Sequence, residues 1–331
     1  MLKKYGFAIV MFLICLVALV RTFMAEPDPL AFSPVVSYIV IGLLALAMIA
    51  VLILTIKGIF VERRWVFLFV GVALVLPYFM SITLKTKVSP EVQGLFNGVN
   101  ALPPGSKVLV AFDYDPPSAP ELQPMADAFM AFAFKRDLKL IIIGLWPQGP
   151  QQANLSITRA MAEPEVAAKN LRYGTDYVNL GFQSGNEFVI QSMGTSFRSM
   201  FPRDIYNTPY DEIPLLRGVE NFSNVDFVVN WSSGYPGTKE WVQIAVDRFR
   251  VKVGAGNTAV QAPEMYPYLN AGQLTGLAGG MTGAAEFEMA TNEYGRATVA
   301  LLSQLFSHAV VIAFIIIGNV ALFLGKEKKT R

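Results

Sequence analysis

KVLVAFDYDPP, residues 107–117, is the stretch that decides the fold. A β-branched, apolar run ends in Asp113 and Asp115 and then in two prolines. A strand buried on both faces of a parallel sheet reads as such a near-continuous apolar run, and its carboxyl end empties into a loop. Three later stretches repeat the shape: YVNLGF before QSGNE (177–187), VDFVVNW before SSGYPGTKE (225–240) and VKVGAG before NTAVQAPE (251–264).

Between these runs the apolar period changes from strand to helix. Leu122, Met125, Phe129, Phe132 and Ala133 mark a helix over 121–136, and 140–145 is a second, wholly apolar strand. Further helices are predicted over 165–172, stopping at Gly174, over 187–197, and over 239–249 with Trp241, Ile244, Ala245 and Phe249 inward. Alternating strands and helices predict a doubly wound, mostly parallel α/β sheet of the Rossmann-like or flavodoxin-like kind. Residues 201–222, with Pro202, Pro209 and Pro214, read as an irregular insertion. Residues 266–290 are rich in Gly and Ala and predict a helix. Gly272, Gly276, Gly280 and Gly283 then form a candidate close-contact face, toward the same domain or toward another chain.

The chain has 331 residues, 53% hydrophobic and only 16% charged, and the apolar excess sits in four blocks at 7–20, 35–56, 65–84 and 299–324. The lipid bilayer is therefore the first partner, with spans at about 5–24, 35–57 and 65–84 in a segment 1–86. An α/β domain follows at 87–296, then a last span with a basic tail at 297–331. Pro77 predicts a break within the third block. Lys3, Lys4, Lys57, Arg63, Arg64, Lys326, Lys328, Lys329 and Arg331 cluster in the tails and one loop, while Glu26 and Asp28 make the 25–34 loop acidic. Positive charge favours the cytoplasmic side. Four spans, both termini cytoplasmic and the domain outside a bacterial or archaeal inner membrane satisfy these facts together. The middle domain is acidic on balance, so no nucleic acid is expected.

The chain has one cysteine, Cys15, and one histidine, His308, both inside apolar blocks. This excludes a disulfide framework, a Cys-based metal site and a Ser-His-Asp or Cys-His site in the α/β domain. His308 reads as a helix-packing or interfacial residue, with proton relay as the alternative.

Asp113 and Asp115, two positions apart at a strand end, could hold Mg²⁺ through oxygen. The pair resembles the two aspartates that haloacid dehalogenase phosphotransferases use as nucleophile and acid, but Pro117 stands where that family has Thr or Val. The DxD of glycosyltransferases is no more specific. The bland alternative is that both residues cap the turn and the helix after it. The run from Ser232 to Lys239 precedes a helix and could cradle an anion, although its glycine spacing is not that of a Walker loop. Ser-Lys chemistry with Lys239 or Lys107 stays open.

In a parallel sheet all these loops share one edge. Asp113, Asp115, Asn186, Ser232, Thr238, Lys239, Asn257 and Glu264 are then expected around a common crevice. The expected function is a membrane-anchored binding or assembly domain, non-catalytic and without a cofactor, working as a homo-oligomer or in a larger membrane complex. A metal-assisted hydrolase or transferase using Asp113 and Asp115 is the alternative. A transporter is the third class, with no evident ion path through the apolar blocks.

Overall fold

The structure, a computed structural model, describes residues 34–57, 62–80 and 87–329. The elements run α1 (Pro34–Ile56), α2 (Arg63–Val75), α3 (Pro90–Asn100), β1 (Lys107–Asp113), α4 (Ala119–Lys135), β2 (Lys139–Gly144), α5 (Gly149–Ala162), β3 (Tyr177–Phe182) and α6 (Glu187–Met193). They continue with β4 (Phe227–Ser232), α7 (Thr238–Trp241), β5 (Val253–Asn257), α8 (Ala262–Asn270), β6 (Leu277–Gly279), α9 (Gly280–Thr291) and α10 (Arg296–Lys329). Lys85–Thr298 is one compact unit and the flanking segments form another.

The α/β unit holds one six-stranded sheet in the order β3-β2-β1-β4-β5-β6, with every pair parallel. Chain order reverses direction at β1, whose neighbours are β2 and β4. This is the doubly wound arrangement, and its switch point lies outside the carboxyl ends of β1 and β4. Val108, Val110 and Phe112 face one layer, and Leu109, Ala111 and Asp113 the other, by the two-residue period of a strand. Leu109, Ala111, Ile141, Ile143, Val228 and Ala255 join Val189, Ile190, Trp241 and Met265 in a single buried cluster. On the opposite layer Trp231 meets Phe129 of α4 and Phe287 of α9 edge to face. Both faces are thus covered, which is why these strands carry no polar alternation.

The 201–222 insertion closes the β3 edge. Ile205 N–H donates to Asn179 O, and Tyr173 bonds Asp204 and packs on Tyr206. An edge strand with its backbone so occupied is shielded from pairing with another sheet.

Several expectations are corrected. The helix before β3 is α5, starting at Gly149, and only one turn, Pro164–Ala167, falls in the expected 165–172. Pro150 and Pro90 sit in the first turns of α5 and α3, where a missing N–H costs nothing. The expected helix over 266–290 is instead α8, the short strand β6 and α9. Gly276 causes the change: a Cβ there would stand 1.9 Å from the backbone nitrogen of Leu95 in α3, so this stretch lies against α3 as extended chain.

Among the described residues two helices are long and apolar enough to cross a membrane, Val35–Thr55 and Arg296–Val320. The third apolar block forms the 13-residue α2 and a 3₁₀ turn, Leu76–Phe79, that contains Pro77. Residues 81–84 of this block lie outside the described residues. The first block, 5–24, lies outside the described residues.

Candidate functional site

β1 ends with Asp113 on the α7 side of the sheet, and β4 brings Asn230 beside it. Both side chains are fully buried. Asn230 Nδ2 donates to Asp113 Oδ2 at 2.7 Å, and Trp241 Nε1 of α7 donates to the same oxygen at 2.8 Å. The backbone N–H of Leu145, just past β2, donates to Oδ1 at 2.7 Å. One carboxylate therefore ties the ends of three neighbouring strands and the following helix together. Burial pushes the Asp113 carboxyl up to about 7, against the downward pull of its three N–H donors, and the nearby Glu240 charge adds to the rise.

The network continues across the edge. Thr238 Oγ1 donates to Asn230 Oδ1 at 2.7 Å, and Asn257 Nδ2, at the end of β5, donates to Thr238 Oγ1 at 2.9 Å and Gln261 Oε1 at 2.7 Å. The 233–237 loop lies over these groups. Gly234 O accepts from Ser232 Oγ and Gln261 Nε2, and Pro236 O accepts from Trp146 Nε1 at 2.9 Å. Gly237 is required here, because a Cβ would stand 2.0 Å from Ser232 Oγ. The crevice that doubly wound sheets leave open at the switch point is filled by this chain's own polar side chains and covered by its own loop.

The structure brings Asp113, Ser232, Thr238 and Asn257 together and buries all four. Asp115 stands apart, accepting from Ser118 Oγ at 3.0 Å and making no side-chain bond to a helix N–H. Asp113 thus serves the buried network instead of a cap, while Asp115 stands at the N-cap position of the turn Pro116–Ser118 and bonds Ser118 within it. Asn186, just before α6, Lys239 in α7 and Glu264 in α8 are exposed. Asn230, Trp241 and Gln261 are members of this network that sequence reading did not place in the crevice, Trp241 being read only as an inward helix residue. Asn230 carried the clearest signal, a lone amide inside the apolar strand FVVNW. Among the described residues no group of three or more His, Cys, Asp or Glu could hold a metal ion.

Of the four glycines, Gly276, Gly280 and Gly283 press on backbone atoms of Leu95, Ala259 and Ala278, all within the domain. Gly272, in a left-handed turn at φ 71°, has open space around it. Apolar side chains stand outside the closed crevice: Phe182 and Phe188 around the β3 loop, Tyr235 in the β4 loop and Val260, 88% exposed, after β5. Tyr235 Oη donates to Glu187, tying two of these loops.

Compared with known proteins, the chain matches no family model, no curated protein and no solved structure.

Proposed function

We propose that this chain is a membrane-anchored α/β binding or assembly domain, non-catalytic, acting in an oligomer or a larger membrane complex. The carrying observation is the Asp113–Asn230–Thr238–Asn257 network, which occupies the position where this fold class otherwise receives a ligand. The side chains of this network are hydrogen-bonded to one another, which rigidifies a core, while Ser233 Oγ in the covering loop and Trp231 Nε1 of β4 are buried without a partner among the described residues. The cross-tied loops outside it hold Phe182, Phe188, Tyr235 and Val260 at the surface, and apolar groups held in this way favour protein contact. The proposed topology keeps four spans, both termini cytoplasmic and the domain outside, on the strength of the basic clusters.

The metal-assisted reading has less support, because Asp113 accepts from three N–H groups and Asp115 from the Ser118 hydroxyl, with no partner in common. The test is a Phe188→Asp/Val260→Asp variant of the full chain, purified in detergent with whatever accompanies it. The variant should keep the wild-type melting temperature and lose mass from the particle. An unchanged particle would remove the rim as a contact surface.

A further inference from the structure

α1, α2 and α10 pack around Met48, Ala73, Val310 and Ile317 and leave an apolar groove of about 410 Å³ between them. Val51 and Thr55 of α1, Val66 of α2, and Phe314, Ile315 and Gly318 of α10 line it. Thr55 turns its hydroxyl back to Val51 O at 2.7 Å, so the lining suits a hydrocarbon chain. A Cβ at Gly318 would meet nothing within 4 Å, and Ile315 beside it is exposed, so the groove is open to what surrounds the helices. Its volume lies within the roughly 300–1,000 Å³ of ligand sites.

One end of this groove is cationic. Phe69 meets Phe314 at 5.6 Å and Ser303 Oγ donates to Leu74 O, so α2 runs antiparallel to α10. Its first residues, Arg63 and Arg64, then stand about level with Gly318, and Lys57 directly follows α1. All three are exposed. Arg64 pairs with the exposed Glu62 at 3.8 Å, while Arg63 and Lys57 form no ion pair among the described residues. Thr55 and Val320 close the two segments long enough to cross a membrane, and the exposed Trp65 is of the residue type that collects at headgroup level. Countercharge then decides between occupants. Residues 5–24 contain no Asp or Glu and follow Lys3 and Lys4. A second copy side by side in one membrane would present the same three cations at the same level. Neither answers the charge at the mouth of the groove, whereas an anionic amphiphile does.

We infer that this groove binds one anionic phospholipid, with an acyl chain between α1, α2 and α10 and the phosphate against Lys57, Arg63 and Arg64. Guanidinium groups match phosphate oxygens in pairs, and each cation beside an anionic headgroup adds several-fold to affinity. The inference rests on the membrane-anchored reading above and is independent of the loops that ring the crevice.

The test uses the full chain in detergent micelles, titrated with phosphatidylglycerol or phosphatidylcholine carrying brominated acyl chains. The signal is the tryptophan quenching that Trp65→Phe abolishes. Phosphatidylglycerol should saturate it at a mole fraction about tenfold lower than phosphatidylcholine. Lys57→Gln/Arg63→Gln/Arg64→Gln should remove that preference. Gly318→Leu, which fills open space, should remove saturable quenching by either lipid, and both variants should keep the parent's helix content. Equal quenching by the two lipids, or a preference that survives either variant, would overturn the inference. So would an absence of saturable quenching, which would give the groove to residues 5–24 or to a second copy. Displacement by millimolar glycerol 3-phosphate would overturn it too, giving the cations to a free phosphate. A chain that stays soluble without detergent would instead remove the membrane-anchored reading itself.

Discussion

Asp113 Oδ2 accepts the side-chain amide of Asn230 at 2.7 Å across the β1–β4 pair, inside the sheet's carboxyl edge and with neither residue exposed. A carboxylate so placed organises its surroundings through acceptor capacity. Asp113→Ala would leave the N–H groups of Leu145, Asn230 and Trp241 buried without an acceptor. Each orphaned donor costs about 1–3 kcal/mol, so the variant should lose about 3 kcal/mol or more, read as a lower denaturation midpoint of the domain.

The same residue sets a pH dependence. Its folded value of about 7 lies above the ordinary carboxylate value near 3.9. The native state therefore holds more protons than the unfolded state between those values, and stability falls as pH rises through that window. The contribution is full below about pH 4 and lost above about pH 7. Melting temperatures across this range should show the slope in the wild type and a shallower one in Asp113→Asn. Parallel profiles would assign the slope to other groups.

Glu288 of α9 supplies the cap of α10. Its carboxylate accepts from Ala297 N at 2.8 Å, Thr298 N at 2.9 Å and Thr298 Oγ1 at 2.6 Å. Glu286, two residues earlier, accepts from Ser89 N at 2.9 Å just before α3. One helix thus holds both places where the chain joins the domain. Glu288→Ala should cost about 1–2 kcal/mol and speed amide exchange at 297–299. Unchanged exchange there would show that the cap is dispensable.

The glycines divide by surroundings. Gly276→Leu must displace the α3 backbone and should destabilise the domain by about 3 kcal/mol, while Gly272→Leu meets open space and bears only left-handed strain of about 1–2 kcal/mol. Comparing the two melting temperatures checks this. Equal losses would mean that the approach of Gly276 to Leu95 is not tight.

Much of this architecture was legible before any coordinates. Tyr177–Phe182 has the bounds its apolar run suggests, and 107–113, 139–144 and 227–232 differ by a residue or two. Runs buried on both faces announce themselves because every position must be apolar. β6 was illegible for the opposite reason: three residues, Leu277–Gly279, carry too little pattern, and Gly276 is explained only by α3, far away in sequence. In the crevice, the strand-end position of Asp113 was readable, but its partners Asn230, Trp241 and Leu145 come from three other segments. Sequence spacing also suggested a pair in Asp113 and Asp115 that the fold separates, since β1 ends between them.

A topology prediction follows from the charge clusters. A reporter fused after Arg331 should behave as cytoplasmic and one inserted at Asn207 as extracytoplasmic. Both on one side would mean that Arg296–Val320, the candidate span between the two positions, does not cross the membrane.

The central claim is that the switch-point crevice is filled by the chain itself. It is tested most directly by melting the full-length protein in detergent against millimolar ATP, NAD⁺, Mg²⁺ and Mn²⁺. A ligand that binds only the native state raises the melting temperature with saturation. The account predicts no saturable rise with any of the four. A saturable rise that disappears in Asp113→Asn/Asp115→Asn would contradict it and restore the metal-assisted reading.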